Sequence, residues 1–404
     1  MQKKVLPIIF ATLLLDMVGT GMIIPIVPII FTDPSSSSFL LTGYSTAAQF
    51  FIAGLLTAVF GFMQFIAAPI LGELSDIYGR KRLLAVGVAT LAGAQMLFGA
   101  GVAMGTLWLL FVSRAIAGIA GGNIGIAQAT IADVTDPKDR AKNFGLIGAA
   151  IGIGFVLGPL LSGYIASTTG DASAPFWFAG FLGILNMFSV TFFLRETHTT
   201  RTTERKRFTL LRGIHNIREA FLDPEARPVY GASFLFMSGF AFFTSFSGVL
   251  LVARYGFDEA DIGAFFGIVG IWIVITQVFI LRVLTRIYSE RQILRVTLCV
   301  LAASLTLYPF MPQKEYLFLL LPFLTIPIGL TNANMSALVS RSVSSGRQGA
   351  ALGINASLLA FAQGVAPLVA GIGSGFIAIE APFIAGALLV LCAWGLLFMY
   401  QHKA

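Results

Sequence analysis

Residues 5–31 read VLPIIFATLLLDMVGTGMIIPIVPIIF, an apolar run broken by one ionisable side chain, Asp16. A hydrocarbon core about 30 Å thick is crossed by about 20 apolar residues in a helix, and this run is long enough. A helix is required because lipid offers the backbone no water to bond to. A membrane-spanning strand would alternate polar and apolar residues, and the run from Ile23 to Phe31 does not. Lys3 and Lys4 precede it as they would a signal peptide. The run extends past a typical signal core and lacks a small-x-small cleavage site, so a retained first helix is expected.

Eleven further stretches of this kind follow, at 48–72, 83–104, 106–131, 143–167, 174–194, 229–252, 262–284, 293–311, 316–338, 349–374 and 381–400. The composition agrees: 57% of the 404 residues are apolar and only 11% are charged. A soluble surface needs roughly 25% charged residues, so most of this surface must meet lipid. The reading is an all-α membrane protein of twelve transmembrane helices. Cys299 and Cys392 fall inside these helices and read as buried thiols without a disulfide, and His198, His215 and His402 have no ligand spacing, so no metal is expected.

The net charge of +7 is a topology signal rather than a nucleic-acid patch. With both termini on one side, that side holds every one of the 26 Lys and Arg residues except Arg114, Arg254 and Lys314. The positive-inside rule then puts both termini in the cytoplasm of a multi-pass protein of the cell (inner) membrane. The longest polar interruption, 195–228, carries Arg201, Arg205, Lys206, Arg207, Arg212 and Arg218. It divides the chain into 1–194 and 229–404, six helices each, and reads as a cytoplasmic basic linker. Thr209 to Ala220 can alternatively lie as a short amphipathic helix on the anionic leaflet.

The two parts echo each other. Ile77-Tyr78 recurs as Ile287-Tyr288, Ile119 to Asn123 as Ile328 to Asn332, and Gly145, Pro159 and Gly163 as Gly353, Pro367 and Gly371. The offsets are nearly equal and argue for an internal duplication, two pseudo-symmetric bundles. Transporters built from such repeats bind substrate near the midplane between them.

Between the second and third stretches lies Gly72-Glu-Leu-Ser-Asp76-Ile-Tyr-Gly79-Arg80-Lys81-Arg82. Gly72 and Gly79 permit a tight turn and a close helix approach. Asp76 suits positive helix N-termini, and the basic cluster suits carboxylates. The fifth stretch carries Gly145-x8-Gly154-x3-Gly158-Pro159-x2-Ser162-Gly163, whose glycines flatten one helix face while Pro159 removes a backbone hydrogen bond. The fourth has Arg114-x3-Gly118-x3-Gly122, and the first has Leu15-Asp16-Met-Val-Gly19-x-Gly21-x3-Pro25-x2-Pro28. Together these resemble the signatures of the major facilitator superfamily, drug/proton antiporter branch. The first half is most similar to the tetracycline/proton antiporter group, and the second half only thinly so. The resemblance implies the major facilitator fold. It also implies a loop at 72–82 that latches the cytoplasmic side shut, a helix-packing antiporter motif with Ser162 in a usual glycine position, and a proton as the coupling ion, with no other cofactor.

Asp16 and Arg114 are the two ionisable residues well inside the stretches. Asp16 lies roughly 15 Å from its cytoplasmic helix start and Arg114 roughly 12 Å in from the other side, at 1.5 Å per residue. Charges at that depth are costly and mark function by default. Thr12, Asp16 and Thr20 recur every four residues as one polar stripe, expected to face the central cavity. Asp16 is the candidate proton site, with Arg114 biasing it; a structural Asp–Arg or Asp–backbone contact is the alternative. Phe234, Phe236, Phe240, Phe242, Phe243 and Phe246 crowd the seventh stretch. Phe240 and Phe243 are candidates for an apolar substrate pocket, against packing or lipid contact. Asn123, Asn332, Asn334 and Gln363 stand open between substrate contact and interhelical bonding.

The resemblance also breaks in places. Tetracycline exporters use further ionisable residues in their eighth and ninth helices, and the corresponding positions here fall near Ile273 and Leu301, both apolar. The loop after the eighth stretch has Ser289 and Glu290 where the first copy has Gly79 and Arg80, and reads as a degenerate latch. The expected function is export of lipophilic or amphipathic small molecules in exchange for protons by alternating access. The alternative is a metabolite or siderophore exporter, or a proton-independent facilitator, of the same superfamily. No large sensory loop favours a receptor, no nucleophile–base pair an enzyme, and no phosphate-binding loop an ATP-driven pump. Nothing calls for a protein partner, so a monomer in the bilayer is expected.

Overall fold

The computed structural model describes residues 2–135, 140–197, 218, 222, 226–342 and 348–400. Every regular element of the described chain is a helix: α1 (Gln2–Gly21, resuming as Ile23–Thr32), α2 (Thr46–Tyr78), α3 (Arg80–Ala103), α4 (Leu107–Ala120, resuming as Asn123–Val134), α5 (Arg140–Thr169) and α6 (Ala174–Phe193). There follow α7 (Arg227–Tyr255), α8 (Glu259–Ile275, a π turn Thr276–Ile280, then Leu281–Ile287), α9 (Glu290–Leu307), α10 (Lys314–Arg341), α11 (Gln348–Phe376) and α12 (Ala381–Tyr400). Eleven of them are long and apolar enough to cross a membrane, and the apolar stretch Ala381–Leu397 of α12 is shorter. The possible interfacial helix at Thr209 to Ala220 lies, apart from Arg218, outside the described residues.

Helix ends follow local chemistry. The Ser45 hydroxyl accepts from Ala48 N–H at 3.3 Å, and the Asp258 carboxylate from Asp261 N–H at 2.8 Å. Each satisfies an amide the helix itself leaves open. Gly79 turns the chain between α2 and α3 at φ +98°, a conformation that a side chain would strain. Two of the expected helices are interrupted. Pro25 cannot return a hydrogen bond to Gly21, and α1 breaks at Met22. The Ser162 hydroxyl of α5 donates to the Met22 carbonyl at 2.7 Å, so the departure from the glycine pattern caps this break. The α4 break falls at Gly121–Gly122, where Gln64 Nε2 donates to the Gly121 carbonyl at 3.1 Å.

The packing repeats across the two halves. α1 packs on α5 as α7 packs on α11, α3 on α6 as α9 on α12, and α3 on α4 as α9 on α10. The halves meet through α2 against α11, α5 against α8, and α1 against α7. The duplicated glycines and prolines sit in these seams. A Cβ on Gly263 of α8 would come within 2.6 Å of the Pro159 carbonyl and 3.1 Å of Gly163 Cα. On the other side of the molecule, a Cβ on Gly54 of α2 would collide with the Pro367 carbonyl and stand 3.1 Å from Gly371 Cα. At the opposite end, where α2 turns into α3, the Cβ positions of Gly72, Gly148 and Gly353 meet no atom of another element within 4 Å among the described residues.

Large apolar side chains cover the outside, among them Phe192, Phe193, Leu319 and Phe376, as a lipid-facing surface requires. Cys299 and Cys392 belong to it: both are free and exposed on helix surfaces rather than buried. The largest core fills the second half, where Phe236, Phe243, Phe246, Phe265, Phe266, Tyr308 and Phe383 are completely enclosed.

Candidate functional site

Asp16 sits in the middle of α1, buried, and its carboxylate is held by two amides. Asn123 Nδ2, at the restart of α4, donates to Oδ2 at 3.1 Å. Asn186 Nδ2, on α6, donates to Oδ1 at 3.3 Å and also to the Thr12 carbonyl at 3.3 Å. Thr20 donates to the Asp16 backbone carbonyl at 2.8 Å. The polar stripe of α1 therefore turns toward α4 and α6, inside the first half, rather than toward an open central cavity. The reason is competition: a buried carboxylate needs donors, and the two asparagines supply them from within.

A cavity of about 20 Å³, room for roughly one water, borders this group between α1, α2, α3 and α4. Asp16, Thr20, Phe60, Gln64, Leu91 and Asn123 are among the residues that line it. Arg114 is buried but is not an ion-pair partner of Asp16. Its guanidinium lies 4.3 Å from the centroid of the Phe60 ring, and its Nε has no hydrogen-bond partner. The ring supplies a cation–π contact in place of a carboxylate. Thr12 Oγ1 and Asn123 Oδ1 are likewise buried without partners. Asn186 is the residue that reasoning from sequence missed. Its signal was available: it is the lone amide in the aromatic run FLGILNMFSVTFF of α6, residues 181–193.

The other candidates lie elsewhere. Phe243 is enclosed in the second-half core, its ring 5.4 Å from Tyr308 and 6.5 Å from Phe266, and Phe240 packs at that core's margin. Asn334 is buried and donates to the Leu330 carbonyl at 2.7 Å, an ordinary helix-internal bond. Asn332 is exposed, and Gln363 is half-buried where α11 meets Gly61 of α2. None of them joins Asp16.

In the antiporter motif, Gly154 and Gly158 bring α5 against α1: a Cβ on Gly158 would lie 2.7 Å from the Val18 carbonyl and 2.9 Å from Gly21 Cα. The Pro159 carbonyl and Gly163 face α8, the Pro159 ring lies against Gly21 of α1, and of Gly145 only its place in α5 is described. The expected loop at 72–82 is helical apart from Gly79, because α2 runs on to Tyr78 and α3 starts at Arg80; there Arg80 is buried and bonds Ser75, Asp76 and, at 3.3 Å, Asp133 of α4. Its N–H donates to Glu196 Oε1 at 2.9 Å, just beyond α6. No described atom of another element lies near a Cβ on Gly72, and Lys81 and Arg82 line a surface groove whose wall Glu196 shares.

Comparison with known proteins gives the arrangement its setting. A family model described as Major Facilitator Superfamily matches residues 9–367. The tetracycline resistance protein, class G, of Vibrio anguillarum is 30% identical over 394 residues, 93% of each chain. Multidrug resistance protein 1 of Bacillus subtilis (strain 168) is 29% identical over 384 residues, 92% of this chain and 90% of that one. Among solved structures, the human organic anion transporter MFSD10 (TETRAN) superposes with a TM-score of 0.75 over 98% of this chain and 99% of that one. At 22% identity that likeness speaks for the fold alone.

Proposed function

The chain belongs to the major facilitator superfamily of membrane transporters, and from that premise we propose that it exports lipophilic or amphipathic small molecules in exchange for protons. The observation that carries the proposal is Asp16: a buried carboxylate whose side-chain partners are two neutral amides and no cation. Such a group can take up a proton without breaking an ion pair.

The hydrogen-bond chemistry assigns different parts to the two amides. As drawn, both donate, which suits the ionised carboxylate, an acceptor only. Once protonated, Asp16 must itself donate, and one amide has to offer its oxygen. Asn186 is tied by its second bond to the Thr12 carbonyl. Asn123 Oδ1 has no partner, so its amide can turn over and accept. Protonation would then be felt at Asn123, which begins the second segment of α4. Arg114, over Phe60 at the margin of the same cavity, adds a fixed positive charge nearby without pairing with Asp16.

In this reading the chain crosses the membrane twelve times, as bundles 1–194 and 229–404 joined by 195–228, with both termini cytoplasmic and the protein in the cytoplasmic membrane. The open space around Gly72, Gly148 and Gly353 supports an inward-open form. The 72–82 loop would close that side later in the cycle. Phe240, Phe243, Asn332, Asn334 and Gln363 stay as second-half candidates for substrate contact in other states. The protein would act as a monomer, with the proton as its coupling ion.

The test is proton flux in liposomes holding the purified protein, with a pH-sensitive dye inside and a panel of lipophilic substrates outside. Substrate-triggered proton movement that falls to background in Asp16→Asn is expected. Substrate flux without proton movement, or coupled flux unchanged in Asp16→Asn, would sink the proton-exchange reading.

A further inference from the structure

The three consecutive bases Arg80, Lys81 and Arg82 divide. Arg80 turns inward and is satisfied by Ser75, Asp76 and Asp133. Lys81 and Arg82 make no hydrogen bond or ion pair with any described residue. They stand in the first turn of α3, where the helix's own dipole disfavours a cation. Between them and the end of α6 runs a groove of about 420 Å³, lined also by Tyr78, Ala85, Val86, Thr191 and Glu196. The carboxylate in that wall is already engaged, its Oε1 accepting from the Arg80 and Thr197 N–H groups at 2.9 and 3.1 Å. The groove therefore presents two cations against a single carboxylate that backbone N–H groups already hold.

One helical turn deeper the surface changes character. Ala85 and exposed Val86 follow on α3, and on α6 exposed Phe188 and Phe192, either side of Thr191 in the sequence, stack with ring centroids 6.0 Å apart. A site with cations at its rim and exposed hydrocarbon about 5 Å further in, one helical turn, matches an amphiphile rather than a free anion. We propose that this groove binds the headgroup of an anionic phospholipid from the leaflet at this end of the molecule. Lys81 and Arg82 hold the phosphodiester, the Thr191 hydroxyl is within the same wall, and the acyl chains lie along Val86 and Phe192. Basic pockets between membrane helices take such headgroups by the same electrostatics. The inference does not depend on what the protein transports.

The experiment is native mass spectrometry of the full-length protein released from micelles with equal phosphatidylglycerol and phosphatidylcholine. The wild type is expected to retain phosphatidylglycerol adducts preferentially, and Lys81→Gln/Arg82→Gln to lose about thirtyfold of that preference, as two surface cations imply. The single variant Arg82→Gln, at an exposed position, is expected to show an intermediate loss and covers the case in which the double variant does not fold. Arg282→Gln/Arg286→Gln removes the same charge from the end of α8 and is expected to leave the preference intact. Unchanged preference in both Lys81/Arg82 variants, or an equal loss in the Arg282/Arg286 control, would overturn the proposal. Displacement of phosphatidylglycerol by millimolar inorganic phosphate would identify a free-anion site and overturn the lipid assignment.

Discussion

The corners where each half turns from its second to its third helix are built on the same plan with opposite charge. In the first half Gly79 turns at φ +98° and the following residue, Arg80, reaches Asp133 at the end of α4, 3.3 Å away. In the second half Ser289 and Gln292 form a capping box, and the following residue, Glu290, pairs with Arg341 at the end of α10, 2.9 Å away. Read as sequence, Ser289-Glu290 in place of Gly79-Arg80 looks like a lost latch. In three dimensions the pair is kept and its polarity exchanged. The environments differ as well. The Arg80 side chain is 9% exposed and the Arg341 side chain 70%. A pair in low dielectric is costly to leave half-made, whereas an exposed one is screened.

The halves differ inside in the same direction. The first buries Asp16, Arg114, Asn123 and Asn186 among its helices, and the second buries interlocked phenylalanines around Tyr308. One half is organised to hold polar groups in fixed relation, and the other to stay packed. The lesson is that a duplicated fold can keep its seams, where Pro159 with Gly263 mirrors Pro367 with Gly54, while its interiors diverge.

The division is tested most strongly in the second core. Phe243→Ala should destabilise the protein by about 3–5 kcal/mol, the usual cost of removing an enclosed ring, seen as a lower Tm in detergent. Coupled flux per folded molecule should persist, and its loss without a change in Tm would instead make Phe243 a substrate contact. Arg80→Gln comes next, costing about 3 kcal/mol because one buried guanidinium serves Ser75, Asp76 and Asp133 together. Asn186→Leu should cost about 2 kcal/mol, the penalty of removing one donor from a buried acceptor. It should also slow coupled flux while substrate binding holds, and a drop in stability alone would reduce Asn186 to packing. The smallest effect belongs to Arg341→Gln, under about 1 kcal/mol at an exposed pair. A Tm loss equal to that of Arg80→Gln would erase the contrast between the two corners. The exchange Glu290→Arg/Arg341→Glu should restore the Tm if the pair and not its polarity matters.

What the sequence by itself determined follows from terms that are local and periodic. The length of each apolar run set the helices, the spread of Lys and Arg gave the expected orientation, and the glycine and proline offsets betrayed the duplication. Asp16 stood out because no other carboxylate lies so deep in an apolar run. What only the tertiary structure decided depends on residues distant in the chain. Asn186 is 170 positions from Asp16, and nothing in its neighbourhood says that it will meet a carboxylate there. Arg114 was expected beside Asp16 from depth alone, but depth leaves the rotation of each helix open, and α4 turns the guanidinium onto Phe60 instead. The exchanged pair of Glu290 and Arg341 is of the same kind: a charge reads as a loss until the fold brings its opposite to it. Local pattern chooses the elements, and the pairing of buried polar groups is chosen by packing, because each such group must find its partner wherever the packed helices place one.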